Sequence, residues 1–405
     1  MSKLFKSFLA ALFVVLVLFT PRFTANEFGH IAGGAGDFSV SSNSAPRWGL
    51  SAIKAREAWN VTTGSKEIVV AVIDSGIDRT IPALEKNAWE NGDEIPNNGI
   101  DDDNNGYVDD VSGWDFREDD ALEKSARGLH YHGTFVAGLV GSSYDKKTGA
   151  GGVAPDISIM DLRFLNEEGK FFTSDWDKLA GAIEYAVDNG ADIINMSLYA
   201  SIEPPQTVQD AVERAEEQGV LVIGIAGNSG GEVGYFGRWE ETFTIGSVNR
   251  SRRISYFSNR GPSVDLVAPG ESVLSFKPGG KTVTGSGTSF AAPHVAGTAA
   301  LILSQYPNMG LNKLKERLKK TADDIKPNGK DNRAGFGLVN SVAAIEKIGA
   351  TENRAQVDVN QDKVKTDTVT HKGIKYTYSK EDITGSDSEN SRGVNKQLDP
   401  LAPLE

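Results

Sequence analysis

Glu67-Ile-Val-Val-Ala-Val-Ile-Asp74, followed at once by Ser75-Gly76, is a β-branched apolar run closing on a carboxylate and a turn. Such a run reads as a strand. Three more runs follow, at Ile157 to Phe164, Ala191 to Ser197 and Gly219 to Ala226. Helices are predicted between them. Ser174 to Gly190 sets Leu179, Ile183, Ala186 and Val187 on one face, with Ser174 as N-cap and Gly190 as the C-terminal stop. Gln206 to Gln218 forms the next helix. Strand, helix, strand at this spacing calls for right-handed crossovers, hence an α/β fold with a doubly wound, mostly parallel sheet flanked by helices on both faces. In such sheets the chemistry collects just past the carboxyl ends of the strands. Asp74 stands at one of those ends.

The chain has 405 residues, 39% hydrophobic and 24% charged, a globular composition with ample length for one large domain. Its 55 acidic residues against 42 Lys and Arg give a net charge of −13. That balance argues against a general nucleic-acid binder, which needs an excess of cations to neutralise phosphates. The absence of cysteine excludes disulfide scaffolds, thiolate zinc sites and a cysteine nucleophile. At the N-terminus Lys3 and Lys6 precede an apolar-rich run from Phe8 to Phe19, closed by Pro21. This is the layout of a signal peptide over residues 1 to 25, its apolar run too short for the roughly 20 residues of a membrane span. A secreted or extracytoplasmic protein, without stable membrane association, is expected. The alternative is an uncleaved anchor, because Phe23 fits the small-x-small cleavage rule poorly.

Two further segments bear reactive groups. His132 opens His-Gly-Thr-Phe-Val-Ala-Gly, where Gly133 allows a close turn before a buried helix. Ser289 ends Gly285-Ser-Gly-Thr-Ser289 and opens a helix from Phe290 to Leu303. Alone, Asp74 reads as a strand-terminal turn former and Ser289 as a helix N-cap. Together, Asp, His and Ser on separate segments are the parts of an acyl-transfer triad: hydroxyl nucleophile, imidazole base, and carboxylate to orient the imidazole. Their order along the chain is that of subtilisin. His130 and His132 also suggest a metal pair, but no HExxH helix or carboxylate cluster at ligand spacing follows them. His294, inside the helix after Ser289, reads as structural.

The chain resembles the subtilisin-like serine proteases, the subtilase family. The resemblance rests on Val-Ile-Asp-Ser-Gly-Ile around Asp74, the His132 motif, Ile-Asn-Met-Ser-Leu ending at Leu198, and Ile-Ala-Gly-Asn ending at Asn228. It continues through Phe-Ser-Asn-Arg-Gly at 257 to 261, Val-Ala-Pro-Gly at 267 to 270, and Gly-Thr-Ser-Phe-Ala-Ala-Pro-His-Val-Ala-Gly at 287 to 297. The resemblance implies a serine endopeptidase acting through an acyl-enzyme on polypeptide substrates, as a monomer. Ser289 would be the nucleophile, His132 the base, Asp74 its orienting carboxylate and Asn228 the oxyanion donor. Ser197, Leu198 and Tyr199, with Ile225, Ala226 and Gly227, would wall the primary pocket and its neighbours. The alternative on the same fold is a non-proteolytic adhesin or regulatory binding module.

Departures from the family pattern are informative. Phe135 replaces a second histidine common in relatives and is expected to pack in the core. Tyr199 stands where glycine commonly follows the Ser-Leu pair, so subsite shape should differ. Relatives usually carry a folded inhibitory propeptide; here only a Gly/Ser-rich linker or minimal pro-segment, residues 26 to 45, is expected before a catalytic domain over 46 to 349.

The acidic insertion, residues 85 to 123, holds fourteen acidic residues and two basic ones, and so nearly the whole net charge. Within it Asp101, Asp103, Asn105, the Tyr107 carbonyl and Asp109 match the first half of a calcium loop, with glycine at the sixth place. Position twelve is Ser112, so Asp110 or a distant carboxylate must complete a Ca²⁺ site. The other reading is a solvated acidic turn. Beyond it, Leu311 to Ile325 is predicted as an amphipathic helix. Residues 350 to 405 read as a polar tail or small appendage, with one strand at Lys372 to Ser379.

Overall fold

A computed structural model describes residues 28–30, 48–122, 129–325, 327–346, 366–371 and 374–379. The expected signal segment, most of the expected linker and most of the expected tail lie outside the described residues. The strand read from Glu67 to Asp74 runs Val69–Asp74, and all six residues are buried. Side chains alternate across a strand. Val70 and Val72 accordingly enter a core shared with the helices His132–Gly141 and Thr288–Gln305, while Val69, Ala71 and Ile73 enter a second core with Trp176–Asp188 and Gln206–Glu217. Each fully buried Val or Ile of such a strand stabilises the fold by about 1.5–3 kcal/mol. Burial on both faces is what an unbroken apolar run, without polar alternation, requires.

Val69–Asp74 sits inside an eight-stranded sheet. Across the sheet the order is Val264–Pro269, Phe243–Val248, Leu221–Ile225, Ile193–Asn195, Val69–Asp74, Ser158–Arg163, Gly113–Asp115 and Asp120–Ala121. All neighbours are parallel except the last pair. Ser158–Arg163 and Ile193–Asn195, consecutive among the parallel strands, flank Val69–Asp74 on opposite sides. The chain therefore reverses its direction of winding at this strand, which opens a crevice at its carboxyl end.

Two helix boundaries differ from the sequence reading. Ser174 is not an N-cap: Thr173–Asp175 form a 3₁₀ turn and the α-helix starts at Trp176. Asp175 holds the N-cap position without a side-chain bond to the helix; its carboxylate instead accepts the Phe172 N–H at 2.7 Å and pairs with Arg117 at 2.9 Å, which fixes the 3₁₀ turn. At the other end Gly190, with φ of 76°, donates to Val187 O, and Ala191 donates to Ala186 O, the paired bonds of a Schellman stop. The amphipathic helix after Gly310 ends at Lys320, five residues short of Ile325.

The chain divides into two compact units, Met1–Glu346 and Lys347–Glu405. In the second, Ile374–Ser379 pairs antiparallel with Thr366–His371, so the strand read near the C-terminus has a partner that its sequence did not announce. In the first, Phe28–His30 pairs antiparallel with Lys170–Phe172.

Candidate active site

Asp74 is the last residue of its strand, and its backbone carbonyl accepts from Phe164 N and Leu165 N on the neighbouring chain segment. Both carboxylate oxygens lie 2.9 Å from His132 Nδ1, and one also accepts the Ser75 N–H at 2.7 Å. The histidine can approach because the next two elements are glycine at the contact. A Cβ on Gly133 would fall 2.6 Å from Gly76 O, closer than side chains pack. Ser75 Oγ then ties the segments together, accepting from Gly133 N and donating to His130 O, each at 2.9 Å. Asp74, Ser75 and His132 are all buried.

With Nδ1 committed to Asp74, His132 Nε2 is buried and has no protein partner. Phe290, beside Ser289, sets its ring 5.3 Å from the His132 ring and 4.2 Å from Phe135. Phe135 is fully buried, as core packing requires.

Ser289 is the second residue of the helix Thr288–Gln305. Its Oγ faces the Ser197 carbonyl at 3.5 Å. Pro293, four residues on, has no N–H to give to the Ser289 carbonyl. Ser197 Oγ fills that vacancy, donating to Ser289 O at 3.0 Å and accepting from Asn195 Nδ2 at 2.9 Å. A proline inside the Ser289 helix thus frees one carbonyl, and the segment after a neighbouring strand uses it to fix the serine's backbone. The signal was legible in the spacing of Pro293 from Ser289; the partner was not.

Asn228 is anchored through oxygen. Its Oδ1 accepts from Thr288 N and Thr288 Oγ1, each at 2.8 Å, and because a backbone N–H can only donate, this settles which way the amide points. Asn228 Nδ2 is left buried and without a partner. A buried amide N–H without an acceptor costs about 1–3 kcal/mol. A group that regains that bond only when negative charge appears beside it is suited to an oxyanion. The N-terminal end of the Ser289 helix favours the same charge.

The six expected wall residues fall into two segments. Ile193–Asn195 and Leu221–Ile225 are parallel neighbours, with Asn195 opposite Ile223. Ser197, Leu198 and Tyr199 continue from one strand; Ile225 ends the other and Ala226 and Gly227 follow it. All are buried except Tyr199, which is half-buried. Their carboxyl ends diverge at Ser289 and Asn228.

His130 stacks near His132, ring centroids 6.2 Å apart, and burial together with the neighbouring imidazole pushes it down to about 4. Neither histidine belongs to a metal-ligating cluster among the described residues. His294 is buried, its Nδ1 donating to Phe290 O at 2.8 Å, and burial lowers it to about 4. Sequence reasoning missed a group beneath the turn that follows Asp74. Asp161, two residues before the end of the next strand, accepts from Ile77 N at 3.1 Å and faces Arg79 at 3.7 Å, and complete burial pushes it up to about 7.

In the acidic insertion, Asp101 and Asp103 come together as expected, and Glu94 joins them, each offering an oxygen within 4.8 Å of the others. Asp101 accepts from Asn105 N and Gly106 N, and Asn105 Oδ1 accepts from Tyr107 N. The Tyr107 ring meets Trp114, Phe116 and Tyr185 edge-on, which pins the loop to the second core. Asp109 departs from the expected ligand set. Its backbone is left-handed, with φ of 56°, and its carboxylate accepts from Asn98 N and Gly99 N. Asp110 is buried and holds Tyr185, Asn91 and Asn105.

Residues 65–337 match the model of the subtilase family. The chain is 35% identical over 289 residues to a thermophilic serine proteinase of Bacillus sp. (strain AK1), covering 71% of this chain and 64% of that protein. It is 37% identical over 267 residues to an intracellular serine protease of Paenibacillus polymyxa, covering 64% of this chain and 73% of that one. Against Subtilisin Savinase of Lederbergia lenta the identity is 33% over 298 residues, covering 73% of this chain and 97% of the relative.

Proposed function

The chain belongs to the subtilase family of serine-type endopeptidases, and from that premise we propose that it hydrolyses peptide bonds through an acyl-enzyme formed on Ser289. The Ser289 hydroxyl attacks the scissile carbonyl carbon while its proton passes to His132 Nε2. Asp74 holds the imidazole in the tautomer that leaves Nε2 free and offsets its charge once protonated. The carbonyl oxygen, negative in the tetrahedral intermediate, takes hydrogen bonds from Asn228 Nδ2 and the Ser289 N–H. Collapse expels the amine with the proton from His132, and water, activated by the same imidazole, frees the carboxylic acid and restores Ser289. The observation that carries this reading is a pair of buried donors or acceptors with no protein partner, His132 Nε2 and Asn228 Nδ2, each held against the turn that bears Ser289.

A serine-directed fluorophosphonate should label the protein once, at Ser289. Ser289→Ala should abolish labelling and reduce kcat by about a millionfold, the scale of the corresponding loss in subtilisin. Labelling elsewhere, or undiminished cleavage by Ser289→Ala, would remove the assignment.

Two further elements belong to the proposal. Glu94, Asp101 and Asp103 form an all-oxygen donor set of the kind that suits a hard cation, and we assign them to a structural Ca²⁺ together with Asn105 and the Tyr107 carbonyl, Asp109 supporting the turn instead. Export rests on the charged-then-apolar N-terminus, residues 1 to 25, since named relatives include an intracellular enzyme. Among the described residues no helix is long and apolar enough to cross a membrane. The substrates are polypeptides, and the enzyme acts as a monomer.

A further inference from the structure

The two wall segments beside Ser289 enclose a crevice whose floor is Gly234-Tyr235. Gly234 N donates to Ala226 O at 3.2 Å and Tyr235 N to Ala200 O at 3.1 Å, so this short loop bonds to both walls. The Tyr199 ring lies inside the enclosure. A Cβ added to Gly227 would fall 2.6 Å from Tyr199 Cε2 and 2.8 Å from Cδ2, and it would also collide with Asn259 Nδ2. A Cβ added to Gly234 would fall 2.6 Å and 2.7 Å from the same two ring atoms. Ring carbons that crowd both positions are seated directly on the Cα atoms of the opposite wall and of the floor. Only glycine at 227 and 234 leaves room for the ring there, and Gly227, at φ of +108°, also holds a backbone conformation that other residues rarely adopt.

The mouth of the crevice is the reacting centre. Ser197, which begins the first wall, has its carbonyl 3.5 Å from Ser289 Oγ, and Gly227, which ends the second, is followed by Asn228 with its unpartnered amide. The side chain of the residue that supplies the scissile carbonyl must enter between these walls. We propose that Tyr199 is the specificity-determining residue of this site: its ring occupies the depth of the crevice, so that Gly, Ala or Ser is accepted at that position and Phe, Tyr, Leu or a long cationic side chain is excluded. The inference rests on the endopeptidase reading and names its substrate class. Its physical basis is steric. A pocket cannot take a large side chain into volume already filled by a packed ring, and even one methylene of misfit is worth about 10- to 200-fold in kcat/KM.

The test uses the full-length protein, quantified by fluorophosphonate titration of Ser289, with matched peptides that differ only in Ala or Phe before the scissile bond. Wild type should cleave after Ala at least about tenfold faster in kcat/KM than after Phe. Tyr199→Gly should raise kcat/KM for the Phe peptide by about tenfold or more while leaving the titrated fraction of Ser289 unchanged. Tyr199→Phe, which keeps the ring and drops the hydroxyl, should retain the wild-type preference. Equal cleavage after Ala and Phe by wild type, or an unchanged ratio in Tyr199→Gly with Ser289 still titrating, overturns the role of Tyr199 and leaves the endopeptidase reading standing. Absence of titration and cleavage in every form overturns both.

Discussion

The catalytic edge and the acidic insertion are both built from carboxylates and turns, yet they are held by opposite means. Asp74 is fully buried between two apolar cores, where its carboxylate bonds to His132 Nδ1 and the Ser75 N–H. Its geometry is a property of the fold. Glu94, Asp101 and Asp103 gather in a stretch that exposes Ile95, Ile100 and Val108, while the insertion's buried anchors, Trp114 and Phe116, lie further along and meet that stretch through the Tyr107 ring. Backbone N–H groups offset part of that charge: Asp102, Asp103 and Asp109 donate to Glu94, while Asn105 and Gly106 donate to Asp101. Three carboxylates at such separation still repel one another. The difference teaches which region is preorganised and which needs a partner.

The largest effect that probes this contrast comes from the preorganised side. Asn228→Ala removes a donor that awaits charge, together with the amide oxygen that holds Thr288 N and Thr288 Oγ1. The expected result is a fall in kcat of about 100- to 1000-fold with KM near wild type, because the amide acts on the transition state and not on bound substrate. Thermal stability should fall modestly, since Thr288 N and Thr288 Oγ1 lose their acceptor. A KM increase that accounts for the whole loss would mean that Asn228 binds substrate and is not an oxyanion donor.

The insertion should show the reverse pattern. In the Ser289→Ala background, where autolysis cannot blur the melt, chelation should lower Tm by roughly 5 °C or more, the shift expected when a ligand present at a hundredfold excess over Kd is withdrawn. Restoring Ca²⁺ should recover it. Glu94→Gln should melt near the chelated wild type and respond weakly to added Ca²⁺. In active enzyme held well below its melt, chelation should leave fluorophosphonate labelling of Ser289 unchanged. An identical Tm with and without chelator would reduce the insertion to a solvated acidic turn.

The same contrast decides what could be read from the chain. Asp74, His132 and Ser289 were singled out by their own neighbours, a strand end with Ser75-Gly76, a helix start with Gly133 and a helix start after Gly287, whereas Asn228 was expected from the family resemblance alone. What escaped depends on distant parts of the chain. Ser197 reaches across 92 positions to the carbonyl that Pro293 leaves free. Glu94 lies outside the alternating pattern that flagged Asp101 and Asp103. The seat of the Tyr199 ring is made by two glycines far downstream, so the sequence announces an intrusion but not its location. Ser174 failed as a cap because the turn is set by Asp175, which bonds to the Phe172 N–H and pairs with Arg117, 58 positions away.

The smallest effect concerns pH and sharpens the picture of the catalytic side as a dry interior. His294 is buried in the Ser289 helix with a folded-state value near 4, below the usual 6.5, because burial disfavours its cation. The unfolded chain therefore binds the proton more readily. The stability contributed by neutral His294 is present above about 6.5 and is lost as pH falls toward about 4. Asp161 acts with the opposite sign: raised to about 7 by burial, it contributes stability that is full below its ordinary 3.8 and declines as pH rises through 7. The two partly cancel in the wild type, so the informative quantity is a difference between variants. His294→Gln, which retains a donor for Phe290 O, should lose fewer degrees of Tm between pH 7 and pH 4.5 than the wild type, whatever its absolute stability. Parallel melting curves across that interval would show that protonation of His294 does not set the acid limit of the fold.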